Sequence, residues 1–158
     1  MDIFFNIPLL TALLAIGIAQ FIKVPLYYIP NKNWNWGLIF STGGMPSSHS
    51  AAVTGLTTGI ALEYGVDSPL FAISTVFAII VMFDAAGVRR HAGEQAVVIN
   101  RLVDDFNQML REVKNWNVQT EQMKRIRLKE LLGHQPIEVL MGGLLGIGIG
   151  IAFHFIVN

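Results

Sequence analysis

Long apolar runs alternate with short polar turns along most of this chain. Four runs are long enough to cross the hydrocarbon core of a bilayer, which takes about 20 helical residues, within a range of about 17 to 25. They are expected to cover residues 3–22, 47–64, 69–88 and 136–157. The chain is therefore predicted to be an all-α membrane protein, a single domain over 1–158 built on a bundle of about four transmembrane helices.

The second run is the least apolar of the four. Its first half contains Ser47, Ser48, His49, Ser50 and several threonines. A re-entrant helix, which enters and leaves the bilayer on the same side, is the alternative to a full crossing here. Only the turn EYGVDSP separates this run from the third, so these two helices are expected to form a tight antiparallel hairpin.

A polar stretch over residues 91–133 separates the third and fourth runs. Its apolar residues recur in steps of three and four, which is typical of an amphipathic helix. They are Val98, Leu102, Phe106, Met109, Val113 and Trp116. A second helix with the basic run KRIRLK is expected over about 120–132. This helical insertion is predicted either to lie on the membrane surface or to pack on the bundle as a solvated hairpin.

The basic residues are confined to two segments of the chain. All 11 Lys and Arg residues fall within 23–46 or 89–133, which lie on the same side if each of the four helices crosses once. Positive residues favour the cytoplasmic side. The chain is thus predicted to lie in a plasma or bacterial-type inner membrane, with these segments cytoplasmic and both termini on the other side.

Composition supports a membrane protein and excludes several kinds of chemistry. The chain is 53% hydrophobic and 14% charged, with a net charge of zero, so a nucleic-acid partner bound through an overall positive field is not expected. Cysteine is absent. Disulfides, thiolate metal sites and thiol nucleophiles are therefore excluded.

Three short segments carry candidate chemistry, and the first is GGMPSSHS. It places a glycine turn, a proline and three small hydroxyl residues, Ser47, Ser48 and Ser50, directly before a helix. Unpaired N–H groups and the positive dipole end there favour a phosphate bound at Ser47 and Ser48. The alternative is that these serines only cap the helix.

The second segment, DAAGVRRHAGEQ, ends the third run. Arg89 and Arg90 are candidates for binding phosphate, although arginines at such an exit also anchor helices to lipid headgroups. Asp84 lies about one turn earlier, and a carboxylate inside a span needs a partner, so it is expected to support an arginine.

The third segment, LLGHQPIEVLMGG, begins the fourth run. His134 and Glu138 are four residues apart and share a helix face, so the carboxylate is expected to orient the imidazole. Both are predicted to lie on the same membrane face as His49, Lys23 and the arginines.

With these motifs the chain resembles the divergent branch of the type 2 phosphatidic acid phosphatase (PAP2) superfamily, whose relatives include vanadium-dependent haloperoxidases. Lys23 ahead of Pro30 is similar to the first motif of that superfamily, and Pro-Ser-Ser-His at 46–49 is similar to its Pro-Ser-Gly-His. His134 with Glu138 is similar to the end of the third motif. In this chain no arginine precedes Pro30, and over forty residues separate the arginines from His134.

The resemblance implies hydrolysis of a phosphomonoester or diphosphate in two steps, with no metal and no cofactor. His134 would form a phosphohistidine, Glu138 would hold its far nitrogen, and His49 would protonate the leaving oxygen. The phosphate oxygens would be held by Lys23, by Arg89 or Arg90, and by the amides around Ser47 and Ser48. A phospholipid phosphate, an isoprenyl phosphate or a soluble ester would be the substrate.

Three further hypotheses stay open. The chain could bind phosphate or anionic lipid without turnover. It could instead hold haem between two of its histidines, although His154 lies near the opposite face and His91 has no helical partner at useful spacing. Glycines that repeat every four residues, as at 142, 146 and 150, permit close helix contact either within the bundle or in a homodimer.

Overall fold

The computed structural model describes residues 6–41, 43–112 and 134–157, and these residues form helices without any β-strand. The prediction of an all-α membrane bundle is confirmed. The helices are α1 (Ile7–Asn31), α2 (Ser48–Tyr64), α3 (Pro69–Ala86), α4 (Val88–Glu112) and α5 (Pro136–Val157), with a 3-10 segment at Trp36–Phe40 between α1 and α2.

Helix α2 lies at the centre of the bundle and packs against α1, α3 and α5. Its polar side chains bond to backbone oxygens: the Thr54 hydroxyl donates to Gly143 of α5 over 3.0 Å, and the Thr57 hydroxyl donates to Ser74 of α3 over 3.2 Å. Because neighbouring helices satisfy and surround these groups, α2 does not need the hydropathy of a lipid-facing helix.

Three helical stretches of the described chain are long and apolar enough to cross a membrane. They are Ile7–Asn31, Pro69–Met109, whose apolar part is α3 and whose polar part is α4, and Pro136–Val157. The 17 residues of α2 extend over about 26 Å, somewhat less than the hydrocarbon core of about 30 Å. Its ends are therefore expected to lie at or just inside the edges of the hydrocarbon layer.

Glycines allow the central helix to approach its neighbours closely. A Cβ at Gly146 of α5 would collide with Ala51 and Thr54 of α2, and a Cβ at Gly150 would lie 2.7 Å from Thr58. The glycine repeat on α5 is thus buried against α2 within one chain. This packing accounts for the repeat, while a homodimer stays a prediction.

One end of the bundle gathers the end of α1, the start of α2, the end of α3 and the start of α5, as the site contacts below demonstrate. At the opposite end Gly59 of α2 approaches Pro8 of α1. The helices therefore alternate in direction, as expected for helices that each cross once. Which end faces the cytoplasm stays a prediction.

Two elements differ from the expected boundaries. Helix α1 continues past residue 22 to Asn31, through Pro25 and Pro30, so Lys23 lies within a helix rather than in a loop. Helix α4 begins at Val88, directly after a break at Gly87. The second helix expected over 120–132, like Val113 and Trp116, lies outside the described residues.

Candidate phosphate site

A buried histidine–carboxylate pair lies at the start of α5. His134 Nδ1 and Glu138 Oε2 are 3.0 Å apart, and the two side chains are only 2% and 17% exposed. The same carboxylate oxygen accepts the Gln135 backbone N–H over 3.1 Å, which fixes it at the beginning of the helix. We assign the proton to Nδ1, since it faces a carboxylate, and this leaves the Nε2 lone pair available.

The Nε2 atom of His134 is buried and has no hydrogen-bond partner among the residues that the structure describes. Buried polar atoms are usually paired, so such an exception requires an explanation. A ligand at this position would supply the missing partner. The atom is therefore the strongest single indication of a site in the described part of the chain.

Backbone hydrogen bonds hold the pair against two other helices. The Ser47 N–H donates to the Glu138 carbonyl over 3.0 Å, and the His134 N–H donates to the Ala85 carbonyl over 3.0 Å. The start of α5 is thus tied to both α2 and α3. Gly142 permits the first contact, because a Cβ there would collide with the Ser47 carbonyl.

A second histidine faces the pair from the first turn of α2. The rings of His49 and His134 have centroids 6.0 Å apart and planes inclined by 63°. His49 is half-buried. Two imidazoles at this distance can act on opposite sides of one bound group, which is the arrangement that nucleophile and general acid need.

Lys23 supplies a positive charge to the same end of the bundle. It is 2% exposed, and its Nζ donates to the Ser41 carbonyl over 3.4 Å. The Glu138 carboxylate attracts its ammonium group. A buried ammonium beside a carboxylate is costly unless it has a role or partners. The structure thus brings Lys23, His49, His134 and Glu138 together.

The three serines of GGMPSSHS are buried, and Ser47 is the N-cap of α2. Its hydroxyl accepts from the Ser50 N–H over 3.3 Å and from the Ser50 hydroxyl over 3.1 Å. The bond between Ser50 and the cap was not predicted, although a serine three residues after a cap is a usable signal. The Ser47 amide is already bonded, so the Ser48 and His49 amides of the first turn are the ones left to bind an anion.

The described contacts of Arg90 lie on α4, outside this cluster. Arg90 Nε lies 3.0 Å from Glu94 Oε1 in an exposed ion pair on α4, and His91 Nδ1 lies 3.1 Å from Glu94 Oε2. The hydrogen bond from Arg90, and then that from His91, hold the pKa of Glu94 below its usual value. Asp84 is half-buried and directly precedes Ala85, and the side chain of Arg89 lies outside the described part.

A cavity of about 330 Å³ lies between α1 and the 3-10 segment, next to the charged groups. Lys23 and Glu138 contribute to its lining, and its other walls are mainly apolar. These walls include Leu26, Tyr27 and Leu38, which the sequence did not indicate. Nothing in residues 6–41, 43–112 and 134–157 forms a cluster of three or more potential metal ligands.

Apolar spanning helices around a polar central helix define an all-α integral membrane protein. The residues of the three sequence motifs lie at one end of this bundle, and they relate the chain to one family of membrane proteins. The chain belongs to the Divergent PAP2 family, which it matches over residues 4–149. It is 61% identical over 147 residues to the uncharacterized membrane protein YuiD of Bacillus subtilis (strain 168), an alignment that covers 93% of each chain. No solved structure matches it significantly.

Proposed function

We propose that this protein is a membrane-embedded phosphatase that hydrolyses a phosphomonoester or diphosphate through a phosphohistidine intermediate. The observation that carries the proposal is the buried Nε2 of His134, which has no partner among the described residues and whose ring Nδ1 lies 3.0 Å from the Glu138 carboxylate. A histidine held in this way has one nitrogen fixed as a donor and the other free as a nucleophile.

In the first step Nε2 of His134 attacks phosphorus, and the bond from phosphorus to the ester oxygen breaks. His49, 6.0 Å away between ring centroids, gives its proton to the departing oxygen. In the second step water attacks the phosphohistidine, and His49 accepts a proton from this water molecule. Inorganic phosphate leaves, and both histidines return to their starting forms.

Stabilisation of the developing negative charge falls to Lys23 and the first turn of α2. Lys23 is already beside Glu138, and the Ser48 and His49 amides lie at the positive end of the helix dipole. The apolar walls of the cavity at Lys23 favour a substrate with an apolar chain, such as a phospholipid or isoprenyl phosphate, over a small soluble ester.

The site end of the bundle is proposed to face the cytoplasm. This rests on the confinement of all 11 Lys and Arg residues to segments on that side. The chain lacks native cysteine, so Asn31→Cys and Asp67→Cys variants can be labelled in intact cells with an impermeant maleimide. The reagent reaches only the outer side of the membrane. Labelling of the Asp67→Cys variant alone therefore fits the proposal, and labelling of the Asn31→Cys variant alone would place the site end outside the cytoplasm.

A second candidate function is binding of phosphate or anionic lipid without turnover. The observation that favours it is the ion pair between Arg90 and Glu94, which directs this guanidinium to an exposed face of α4. With fewer cations around the phosphate, charge developing in a transition state would be stabilised less.

The test is release of inorganic phosphate by the purified protein from a panel of lipid, isoprenyl and soluble phosphates. His134→Ala is expected to remove turnover, and His91→Ala, which changes the exposed imidazole, is the matched control. Equal and negligible release from wild type and His134→Ala across the panel would instead support binding without turnover. Retained turnover in His134→Ala would exclude the phosphohistidine mechanism.

A further inference from the structure

An exposed stack of aromatic rings covers the outer side of the connection between α1 and α2. The rings of Tyr28 and Trp34 have centroids 4.4 Å apart, and those of Trp34 and Trp36 have centroids 5.9 Å apart, with planes inclined by only 21° and 13°. The side chains of Trp34 and Trp36 are 54% and 64% exposed. The stack is thus ordered by its own contacts and leaves large ring faces uncovered.

The residues that flank this stack along the sequence are positive or uncharged. The sequence has no Asp or Glu between Asp2 and Glu63, and Lys32 lies exposed between Tyr28 and Trp34. Lys32 adopts a left-handed conformation, with φ of 53°, and its N–H bonds to the Tyr28 carbonyl to end α1. An apolar segment that carries an exposed cation is complementary to phosphate-bearing lipid headgroups.

The position of the stack follows from α1. The outward side chains of this spanning helix are apolar up to its last turns, with Phe21 and Ile29 each 63% exposed. The chain then leaves the helix at Lys32 and enters the aromatic segment. The stack is therefore continuous with the lipid-facing surface of α1 and follows the point where that surface ends.

The inner side of the same segment is already occupied. Leu38 lines the cavity, and the Ser41 carbonyl accepts the hydrogen bond from Lys23. The rings of Trp36 and Phe40 are instead 64% and 90% exposed. Tyr and Trp combine an apolar ring with a polar N–H or O–H, so the interface between hydrocarbon and headgroups suits them.

We propose that Tyr28, Trp34, Trp36 and Phe40, with Lys32, form a surface that docks in the lipid headgroup layer. This surface holds the segment that walls the candidate site at the boundary of the bilayer. The proposal does not depend on phosphatase activity, because it concerns the depth of the rings in the membrane.

Tryptophan fluorescence measures that depth. Trp116→Phe leaves Trp34 and Trp36 as the emitters. This variant is reconstituted into phosphatidylcholine–phosphatidylglycerol vesicles in which the acyl chains carry bromine either near the headgroup or near the chain end, and aqueous acrylamide is added separately. The control replaces all three native tryptophans by Phe and adds Phe77→Trp, which lies on the exposed surface in the middle of α3.

Emission of Trp34 and Trp36 is expected to fall more with bromine near the headgroup than with bromine near the chain end, and to resist acrylamide. The Phe77→Trp control is expected to have the opposite bromine preference. Strong acrylamide quenching without bromine quenching would place the rings in water and overturn the proposal. Quenching by neither reagent would indicate that a second copy covers the rings, and a chain-end preference would place them in the hydrocarbon; both results would also overturn it. If the control variant fails to fold, the bromine and acrylamide results for the Trp116→Phe variant alone decide, by the same criteria.

Discussion

Two histidine–carboxylate pairs in this molecule have nearly the same local geometry and very different surroundings. His134 and Glu138 are 3.0 Å apart and almost fully buried, whereas His91 and Glu94 are 3.1 Å apart with side chains 72% and 55% exposed. Each pair also has a basic neighbour, Lys23 for the first and Arg90 for the second. The distance between the imidazole and the carboxylate therefore does not distinguish them.

What distinguishes the pairs is the set of contacts beyond them. The buried pair is tied by backbone hydrogen bonds to α2 and α3 and faces His49, and within the described part of the chain its Nε2 has no partner. The exposed pair lies on α4, which packs only weakly on the bundle through α3. Water screens its charges and leaves its side chains mobile, so an exposed pair of this kind contributes little to stability or chemistry.

Removing the carboxylate from each pair gives the sharpest comparison. Glu138→Gln is expected to lower turnover by roughly 10²- to 10⁴-fold, because an amide does not stabilise the charged imidazole and can reverse the tautomer of His134. Glu94→Gln is expected to leave turnover unchanged. Steady-state phosphate release measures both, and equal losses in the two variants would contradict the distinction between the pairs.

The cation beside the buried pair is the next largest expected effect. Lys23→Met is expected to lower turnover by roughly 10²- to 10³-fold, because it removes a positive group from the developing phosphate charge while keeping an unbranched side chain of similar length. Arg101→Met, on the exposed surface of α4, is the control. If both variants retain full turnover, Lys23 does not act on the substrate.

The contact that holds the buried pair against α2 can be disturbed without changing any charged group. Gly142→Ala is expected to destabilise the protein by about 1–3 kcal/mol, because the added Cβ meets the Ser47 carbonyl. Gly148→Ala, where a Cβ meets nothing within 4 Å, is the matched control. Thermal unfolding in detergent compares them, and equal midpoints would mean that α2 and α5 are not in such close contact.

The smallest effect is expected at the exposed pair. The pKa of Glu94 is held low first by the Arg90 hydrogen bond, so Arg90→Ala is expected to raise this pKa towards its usual value. A carboxylate with a lowered pKa stabilises the fold above its ordinary pKa and loses this contribution as pH falls through the lowered value. Carboxyl NMR titration of Glu94 measures the shift, and an unchanged titration would show that the ion pair does not form in solution.

Much of the bundle was predictable because the residues that begin and end its helices are recognisable from their neighbours in the sequence. Helix α5 begins at Pro136, as proline at a first helical position indicates, and ends at Val157 as expected. Helix α3 likewise begins at Pro69 after a serine cap. The hydrogen bond between His134 and Glu138 follows from their spacing of four residues on a helix.

The remaining features depend on contacts between distant residues. The first helix was expected to end near residue 22, yet α1 continues to Asn31 and carries Lys23 into the interior, where Ser41 and Glu138 lie. Arg90 and Glu94 are also four residues apart, so their ion pair could be predicted from the sequence. This ion pair competes with the phosphate-binding role expected for Arg90. No local sequence pattern predicts the cavity walls, because α1 and the 3-10 segment form them together.

The hydrogen bond from the His134 N–H to the Ala85 carbonyl also bears on how such a chain can change in length. Residues 85 and 134 are in backbone contact, so the chain between them is a connection whose two ends meet. The entropy of closing a flexible loop grows slowly with its length, by about 0.6 kcal/mol for each doubling. A change in the length of this connection therefore need not change the position of His134 next to the end of α3.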